Sequence, residues 1–160
     1  MKKLTFTLLA FSALLLSSCL KHDDNCCYVS YDPYFVAEKN GLAIYGYPAT
    51  GKVGTDSIAV AGLSQDAGIV MHIKYTGKGV YQLTGNQAKY YQVVGKDTVS
   101  RYNVGTASGS SLEVTALDSI NKIIGGKFNL KFVRTFPVTS STYPDSVKFT
   151  KGQFVIALPK

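Results

Sequence analysis

From Tyr34 onward, apolar residues recur at every second position over short runs, and each run stops at glycine, proline, asparagine, aspartate or serine. A period of two marks strands with one buried face, because successive side chains point to opposite sides of a sheet. Ile69–Tyr75 shows it most cleanly, with Ile69, Met71, Ile73 and Tyr75 on one face and Val70, His72 and Lys74 on the other. The pattern predicts strands over Tyr34–Lys39, Leu42–Tyr47, Ser57–Leu63, Ile69–Tyr75, Val80–Thr84, Lys89–Val94, Thr98–Val104, Ser111–Leu117, Lys122–Arg134, Asp145–Thr150 and Gln153–Leu158. Asn40-Gly41 is a hairpin signal, since both residues tolerate φ > 0. Pro48–Thr55, Gly105–Ser110 and Pro137–Pro144 are expected as loops, Lys151-Gly152 as a turn, and Asp118–Asn121 as a turn with a helical turn as its alternative near Ser119–Lys122. Lys122–Arg134 reads as one long strand or as one kinked at Gly125-Gly126, with Phe128, Leu130 and Phe132 on one face. No run holds the 3.6-residue period of a helix. The fold class is therefore all-β: an antiparallel β-sandwich of about ten short strands, with a calycin-like β-barrel as the alternative.

The first 33 residues follow another pattern. Lys2 and Lys3 precede an apolar run, Leu4–Leu16, broken by Thr5, Thr7 and Ser12, and small residues lead to Cys19. This is the layout of a secretory signal peptide, and the run is shorter than the about 20 residues a membrane span needs. Leu16-Ser17-Ser18-Cys19 resembles the bacterial lipobox, which implies cleavage before Cys19 and lipidation of its thiol. The alternative is a plain signal peptide cut near Ser18. Bacterial lipoproteins carry three acyl chains, palmitate among them, and durable anchoring needs more than one chain. Leu20 after the cysteine implies the outer membrane in this class. Lys21-His22-Asp23-Asp24 resembles, with His22 interrupting, the lysine-plus-acidic export signal of Bacteroidetes surface lipoproteins, and so implies a domain facing out of the cell; an ordinary solvated tether has the same composition. The expected organisation is a leader over 1–18, a lipidated tether over 19–33 and a β domain over 34–160, with the membrane as partner through the lipid.

Charge and composition narrow the chemistry. The chain carries +7; without Lys2 and Lys3, 15 basic residues face 10 acidic ones, or +5. The basic residues are scattered and only Arg101 and Arg134 are arginines, so no nucleic-acid partner is expected. Cys26 and Cys27 are adjacent in the tether, where they are reduced, vicinally bridged or cross-linked between chains. With His22 they lack the spacing of a zinc site, and no metal or other cofactor is expected. From Asp32 onward the chain has two glutamates, Glu38 and Glu113, and six aspartates, of which Asp32, Asp66, Asp97, Asp118 and Asp145 fall at turns or strand edges and Asp56 opens a strand. Turn-making accounts for them without a general acid–base pair. His72 is the domain's one histidine, on the polar face of a strand, and Gly105-Thr106-Ala107-Ser108-Gly109 lacks the strand-to-helix elbow of a serine nucleophile. No catalytic residue is assigned, and the expectation is a protein that is not an enzyme.

A family likeness runs through most of residues 35–158. Gly79-Val80-Tyr81-Gln82-Leu83-Thr84, Leu112-Glu113-Val114-Thr115-Ala116-Leu117-Asp118, Ile124-Gly125-Gly126-Lys127-Phe128-Asn129-Leu130 and Val147-Lys148-Phe149-Thr150-Lys151-Gly152-Gln153-Phe154 occur in that order. The series resembles uncharacterised Bacteroidetes β-sandwich lipoproteins. The resemblance implies a fold and a location, and no catalytic residues.

Two features remain. Tyrosine is abundant, 11 residues against no tryptophan. Tyr81, Tyr90, Tyr91, Tyr102 and Tyr143 are candidates for a surface that binds a glycan or a protein, since tyrosine offers a large contact at low entropic cost. The same residue also suits half-buried strands. A small apolar ligand inside a barrel is the alternative ligand class. Finally, Asp-Ser/Thr followed by Ile or Val occurs at Asp56-Ser57-Ile58, Asp97-Thr98-Val99, Asp118-Ser119-Ile120 and Asp145-Ser146-Val147. The form resembles the O-glycosylation sequence of exported Bacteroidetes proteins, and makes Ser57, Thr98, Ser119 and Ser146 candidate acceptors beside the turn-forming role of Asp-Ser. Intact-mass measurement of native protein is expected to show whole glycan units added to the lipopeptide; the bare lipopeptide mass would sink that assignment.

Overall fold

The computed structural model of the protein describes residues 32–53, 56–106 and 109–159; the leader, Cys19, His22 and the Cys26-Cys27 pair lie outside them. Ten strands follow in chain order: β1 Tyr34–Lys39, β2 Leu42–Val53, β3 Ser57–Leu63, β4 Ala67–Lys74, β5 Gly79–Gln82, β6 Gly85–Val94, β7 Asp97–Val104, β8 Ser111–Asp118, β9 Ile123–Phe136 and β10 Ser146–Ala157. All pairings are antiparallel, in the order β10-β1-β2-β3-β4-β6-β7-β9-β8-β5, and β10 also pairs with β9. The sheet therefore folds back onto itself. It is not a clean barrel, because β9 divides its second edge between β7 and β8, and β5 hangs from β8. The expected all-β, antiparallel, sandwich-like class holds, with the layers joined by continuous pairing.

The inward face is read directly from the alternation. Ile69, Met71 and Ile73 of β4, Phe128, Leu130 and Phe132 of β9, and Phe154 and Ile156 of β10 are all buried, while Lys127, Asn129 and Lys131 point out. Aromatic rings dominate this core. Tyr90 meets Tyr102, Phe132 and Phe149 at centroid distances of 5.4, 6.0 and 5.0 Å, and Phe35 meets Phe128 at 4.9 Å. These tilted and edge-on contacts add attraction beyond the buried area itself.

Rings of this size fit between the layers because glycines lie beneath them. In the β9–β10 ladder Phe128 stands opposite Gly152, and Phe154 opposite Gly126. A Cβ at Gly152 would come within 2.4 Å of the Phe128 ring, and one at Gly126 within 2.7 Å of the Phe154 ring and 2.0 Å of the Glu113 carbonyl oxygen. Each ring lies over a backbone with no side chain of its own, which is how aromatics stabilise glycines within strands.

Two expectations change, and two open alternatives resolve. Residues 48–53 of the expected Pro48–Thr55 loop are strand instead: β2 continues to Val53, paired with β3 from Tyr47↔Leu63 to Val53↔Ser57, and residues 54 and 55 lie outside the described ones. The β1 ladder has ended by then at Phe35↔Gly46, so Pro48 sits where the strand has an open edge, the position a proline tolerates. Lys151-Gly152 is not a turn: β10 is one strand with a bulge there, Lys151 taking φ 50° and the register to β9 shifting between Phe149 and Gly152. With β1 on one side and β9 on the other, a turn at that point would strip two ladders of their hydrogen bonds. Lys122–Arg134 is the long-strand alternative, β9 running unbroken through Gly125-Gly126 to Phe136, and residues 119–122 form a turn without helix.

Gly126→Ala is expected to destabilise the domain by about 1–3 kcal/mol or more, since the neighbour that must move is backbone. Gly51→Ala, whose added Cβ meets nothing nearer than the Ala59 Cβ at 4.0 Å, is expected to stay within about 0.5 kcal/mol. Chemical denaturation of both variants checks this, and equal midpoints would refute it.

Candidate binding site

β2 changes partners halfway. Leu42–Gly46 pairs with β1 and Tyr47–Val53 with β3, so the β1–β2 hairpin parts from the β3–β4 hairpin below the Tyr47↔Leu63 pair. The parting opens a mouth at the end of the sheet that carries the Asn40-Gly41 turn and the turn over residues 64–66. A cavity of about 350 Å³ lies in it, with Lys39, Tyr45, Ser64, Asp66 and Gln92 among its walls and Tyr90 and Phe149 at its floor. Tyr45 at its edge is 77 % exposed, and Tyr47, two residues further along the same face of β2, is 82 % exposed.

Both turns are held firmly. Asn40 and Gly41 take φ of 50° and 89°, the left-handed pair a two-residue hairpin needs. The Asn40 side-chain oxygen accepts the Lys148 N–H at 3.0 Å and the Asn40 N–H donates to the Lys148 carbonyl at 2.9 Å, tying this turn to β10. In the other turn the Ser64 hydroxyl donates to Asp66 Oδ1 at 2.9 Å and accepts the Ala67 N–H at 3.1 Å, and the Asp66 carbonyl accepts the Val93 N–H at 2.8 Å.

Lys39 Nζ donates to Tyr90 Oη at 2.7 Å and lies 5.0 Å from the centre of that ring. Partial burial lowers the Lys39 pKa, and the nearby Asp66 carboxylate opposes that shift. Burial pushes the Tyr90 hydroxyl well above the ordinary tyrosine value, with Tyr102 and Asp66 adding to it. Tyr90 therefore stays a neutral phenol that accepts from Lys39. Farther inside, Ser100 is fully buried and its hydroxyl donates to Gln92 Oε1 at 2.9 Å, which fixes the amide facing the cavity.

The tyrosines singled out from the sequence scatter. Tyr90 and Tyr102 are core residues, 2 % and 0 % exposed, with their rings in the aromatic cluster; of the two, Tyr90 also meets the cavity, at its floor. The Tyr81 hydroxyl donates to the Gly77 carbonyl at 2.6 Å and accepts the Thr76 N–H at 3.1 Å, so it braces a local turn. The Tyr91 ring lies over Gly68, its cross-strand partner. Tyr143 sits in the 137–145 loop, whose shape is set by the nearly buried Arg134 guanidinium donating to the Ser140 and Tyr143 carbonyls and to Asp145. Sequence reasoning passed over Tyr45 and Tyr47. Their signal is in Leu42–Tyr47, a strand whose outward positions carry no charge, against the lysines that occupy the outward face of β9.

The other chemical groups lie apart. Glu38 pairs with Lys151 at 2.8 Å, His72 lies on the outward face of β4 opposite Ala59, and Glu113 is exposed on β8. Among the described residues no three His, Cys, Asp or Glu side chains gather. The candidate hydroxyls all sit where a strand meets a turn: Ser57 and Thr98 are half-buried, Ser119 and Ser146 exposed. In the Asp118 turn the carboxylate accepts the N–H groups of Ile120 and Asn121 at 3.0 and 2.9 Å, and the hydrogen bonds from Asn121 hold its pKa low.

Fold and site together define an antiparallel β-sandwich domain with a preformed mouth between two hairpins. The chain belongs to the family described as Domain of unknown function (DUF6252), which matches residues 31–157. No curated protein and no solved structure matches it.

Because the folded pKa of Lys39 lies below the ordinary lysine value, the unfolded chain binds more protons between those two values, and stability rises with pH across that window. Asp66→Asn removes the opposing attraction and is expected to lower the Lys39 pKa further and widen the window. An NMR titration of the Lys39 side chain in both proteins checks the shift; an unchanged or raised value would contradict it.

Proposed function

We propose that this protein is an exported lipoprotein of the Bacteroidetes type, anchored in the outer membrane through acylated Cys19 and facing outward. Its β domain is a non-catalytic module that binds a glycan or protein ligand at the mouth between the β1–β2 and β3–β4 hairpins. The leader, Leu16-Ser17-Ser18-Cys19 and the Lys21-His22-Asp23-Asp24 flank support the anchor and its direction. The observation that carries the binding role is the exposed Tyr45–Tyr47 pair beside a cavity with rigid walls. Large exposed aromatics held on a strand are contact surface without a structural use of their own. They continue outward along one row of cross-strand partners, Tyr47, Leu63, Gly68, Tyr91, Arg101 and Phe136, where the Arg101 guanidinium lies 5.7 Å from the Phe136 ring centre.

A surface site is favoured over an internal apolar ligand because Tyr90, Phe128, Phe132, Phe149 and Phe154 fill the space between the layers. A binding role is favoured over catalysis because Glu38, His72 and Glu113 sit on separate strands, and Glu38 is engaged by Lys151. The exposed hydroxyls of Ser119 and Ser146 are the best-presented candidates for O-glycosylation.

Cys19→Ala is expected to move the protein from the membrane fraction to the soluble one; a variant that stays in the membrane overturns the anchor. Affinity capture from intact cells is expected to recover a glycan or protein with the natural chain and about tenfold less with Tyr45→Ala/Tyr47→Ala, as for loss of a central aromatic contact. Equal recovery by both overturns the binding role.

A further inference from the structure

The walls of the mouth carry a specific arrangement of donors and acceptors. Asp66 and Lys39 both line the cavity, yet the ion pairs among the described residues are Arg134–Asp145 and Lys151–Glu38. Each charge is instead steadied by a neutral hydroxyl: Asp66 Oδ1 by Ser64 and Lys39 Nζ by Tyr90. Each keeps unused capacity, since a carboxylate has two accepting oxygens and an ammonium three donors. Gln92 presents an amide whose oxygen is already committed to Ser100, which leaves its NH₂ as a further donor.

An acceptor-only group and donor-only groups facing one space suit a ligand whose polar groups both donate and accept. Hydroxyls do both, and with ionised partners their hydrogen bonds are roughly twice as strong as neutral ones. An acidic ligand would meet Asp66 and a cationic one Lys39, so the opposed charges favour a neutral ligand. Tyr45 supplies a largely exposed aromatic ring at the edge of the same cavity. A ring with hydroxyls at its edge and C–H groups on its face satisfies both kinds of wall.

We propose that this cavity is a subsite for one neutral sugar unit, its adjacent hydroxyls bracketed by Asp66 and Lys39 and its C–H face against Tyr45. The inference rests on the mouth being the ligand site and narrows the ligand to a neutral saccharide. The cavity, about 350 Å³, falls at the small end of the about 300–1,000 Å³ typical of small-molecule sites. Its walls come ready-made: the Asn40–Lys148 clamp and the Ser64–Asp66–Ala67 turn fix the two sides before any ligand arrives, which reduces the ordering cost of binding.

The test is an NMR titration of the isotopically labelled full chain in detergent micelles. The probes are glucose, galactose, mannose and xylose, with galacturonate and a valine–threonine hexapeptide as competitors of other chemistry. At least one neutral sugar is expected to shift the amides of Tyr45, Asp66 and Gln92 saturably. Asp66→Asn and Tyr45→Ala, both at positions that leave the core intact, are expected each to weaken that binding about tenfold or more, the scale of losing a charge-assisted hydrogen bond or a central aromatic contact. The proposal is overturned if no neutral sugar shifts these amides, if the shifts persist undiminished in both variants, or if galacturonate or the hexapeptide binds there more tightly. If sugars fail while capture still depends on Tyr45 and Tyr47, the mouth takes a protein and only the sugar assignment falls. If both fail, the binding role falls with it.

Discussion

Phe128 over Gly152 and Phe154 over Gly126 are reciprocal contacts within the β9–β10 ladder, which runs from Ser146↔Val133 to Ala157↔Ile123. Everything else follows from closing the sheet at that seam. Without it, β10 and β5 would be the ends of an open ten-strand sheet, with the inward faces of β9 and β10 exposed. With it, Phe128, Phe132, Phe149 and Phe154 come between layers, and Tyr90 and Phe35 find their ring partners. The geometry leaves no choice at Gly126: its α-carbon passes so close to the Glu113 carbonyl of β8 that any side chain would displace backbone. A single residue thus sets how closely β8, β9 and β10 approach.

Closure also dictates where the sheet yields. Ten strands of unequal length cannot all pair along both edges. β9 shares one edge between β7 and β8, and β2 gives its first half to β1 and its second to β3. The second of these exchanges leaves the Leu42–Gly46 segment without a β3 partner and parts the two hairpins. The mouth is therefore a consequence of register rather than a loop insertion. That explains why its walls are strands and two short clamped turns. Groups placed on such elements hold their geometry better than groups on long loops.

The sequence was legible where period and turn chemistry agreed. Asn40-Gly41, the Ile69–Tyr75 alternation and the Phe128–Leu130–Phe132 face all appear as read, because each depends on local geometry. It misled where a partner strand overruled a local signal. Pro48, Gly51 and Gly54 suggest a loop, but pairing with β3 keeps β2 extended; Lys151-Gly152 suggests a turn, but two flanking ladders turn it into a bulge. The mouth was the least legible part. Lys39, Asp66 and Gln92 come from three separate segments, and only the parting of two hairpins brings them to one cavity. Conversely, Tyr90 and Tyr102 attract notice as tyrosines, yet a strand position facing inward sends a tyrosine ring into the core as readily as a phenylalanine.

The position of the mouth relative to the chain's entry connects the two halves of the functional reading. The residues before β1 join the domain at Tyr34, and β1 then runs six residues to Lys39 at the mouth. At about 3.3 Å for each of the five steps this separates entry and mouth by about 17 Å. The turn at Asn40-Gly41, the turn over residues 64–66 and the turn at Gly95-Lys96 all lie at the mouth's end of their strands, whereas β10 finishes at Ala157, opposite Ile123, at the entry end. If the domain is tethered as proposed, the cavity groups lie at the end of β1 opposite to its first residue. In the proposed reading one short strand serves both demands: its first residue follows the tether in the chain, and its last supplies the lysine of the cavity.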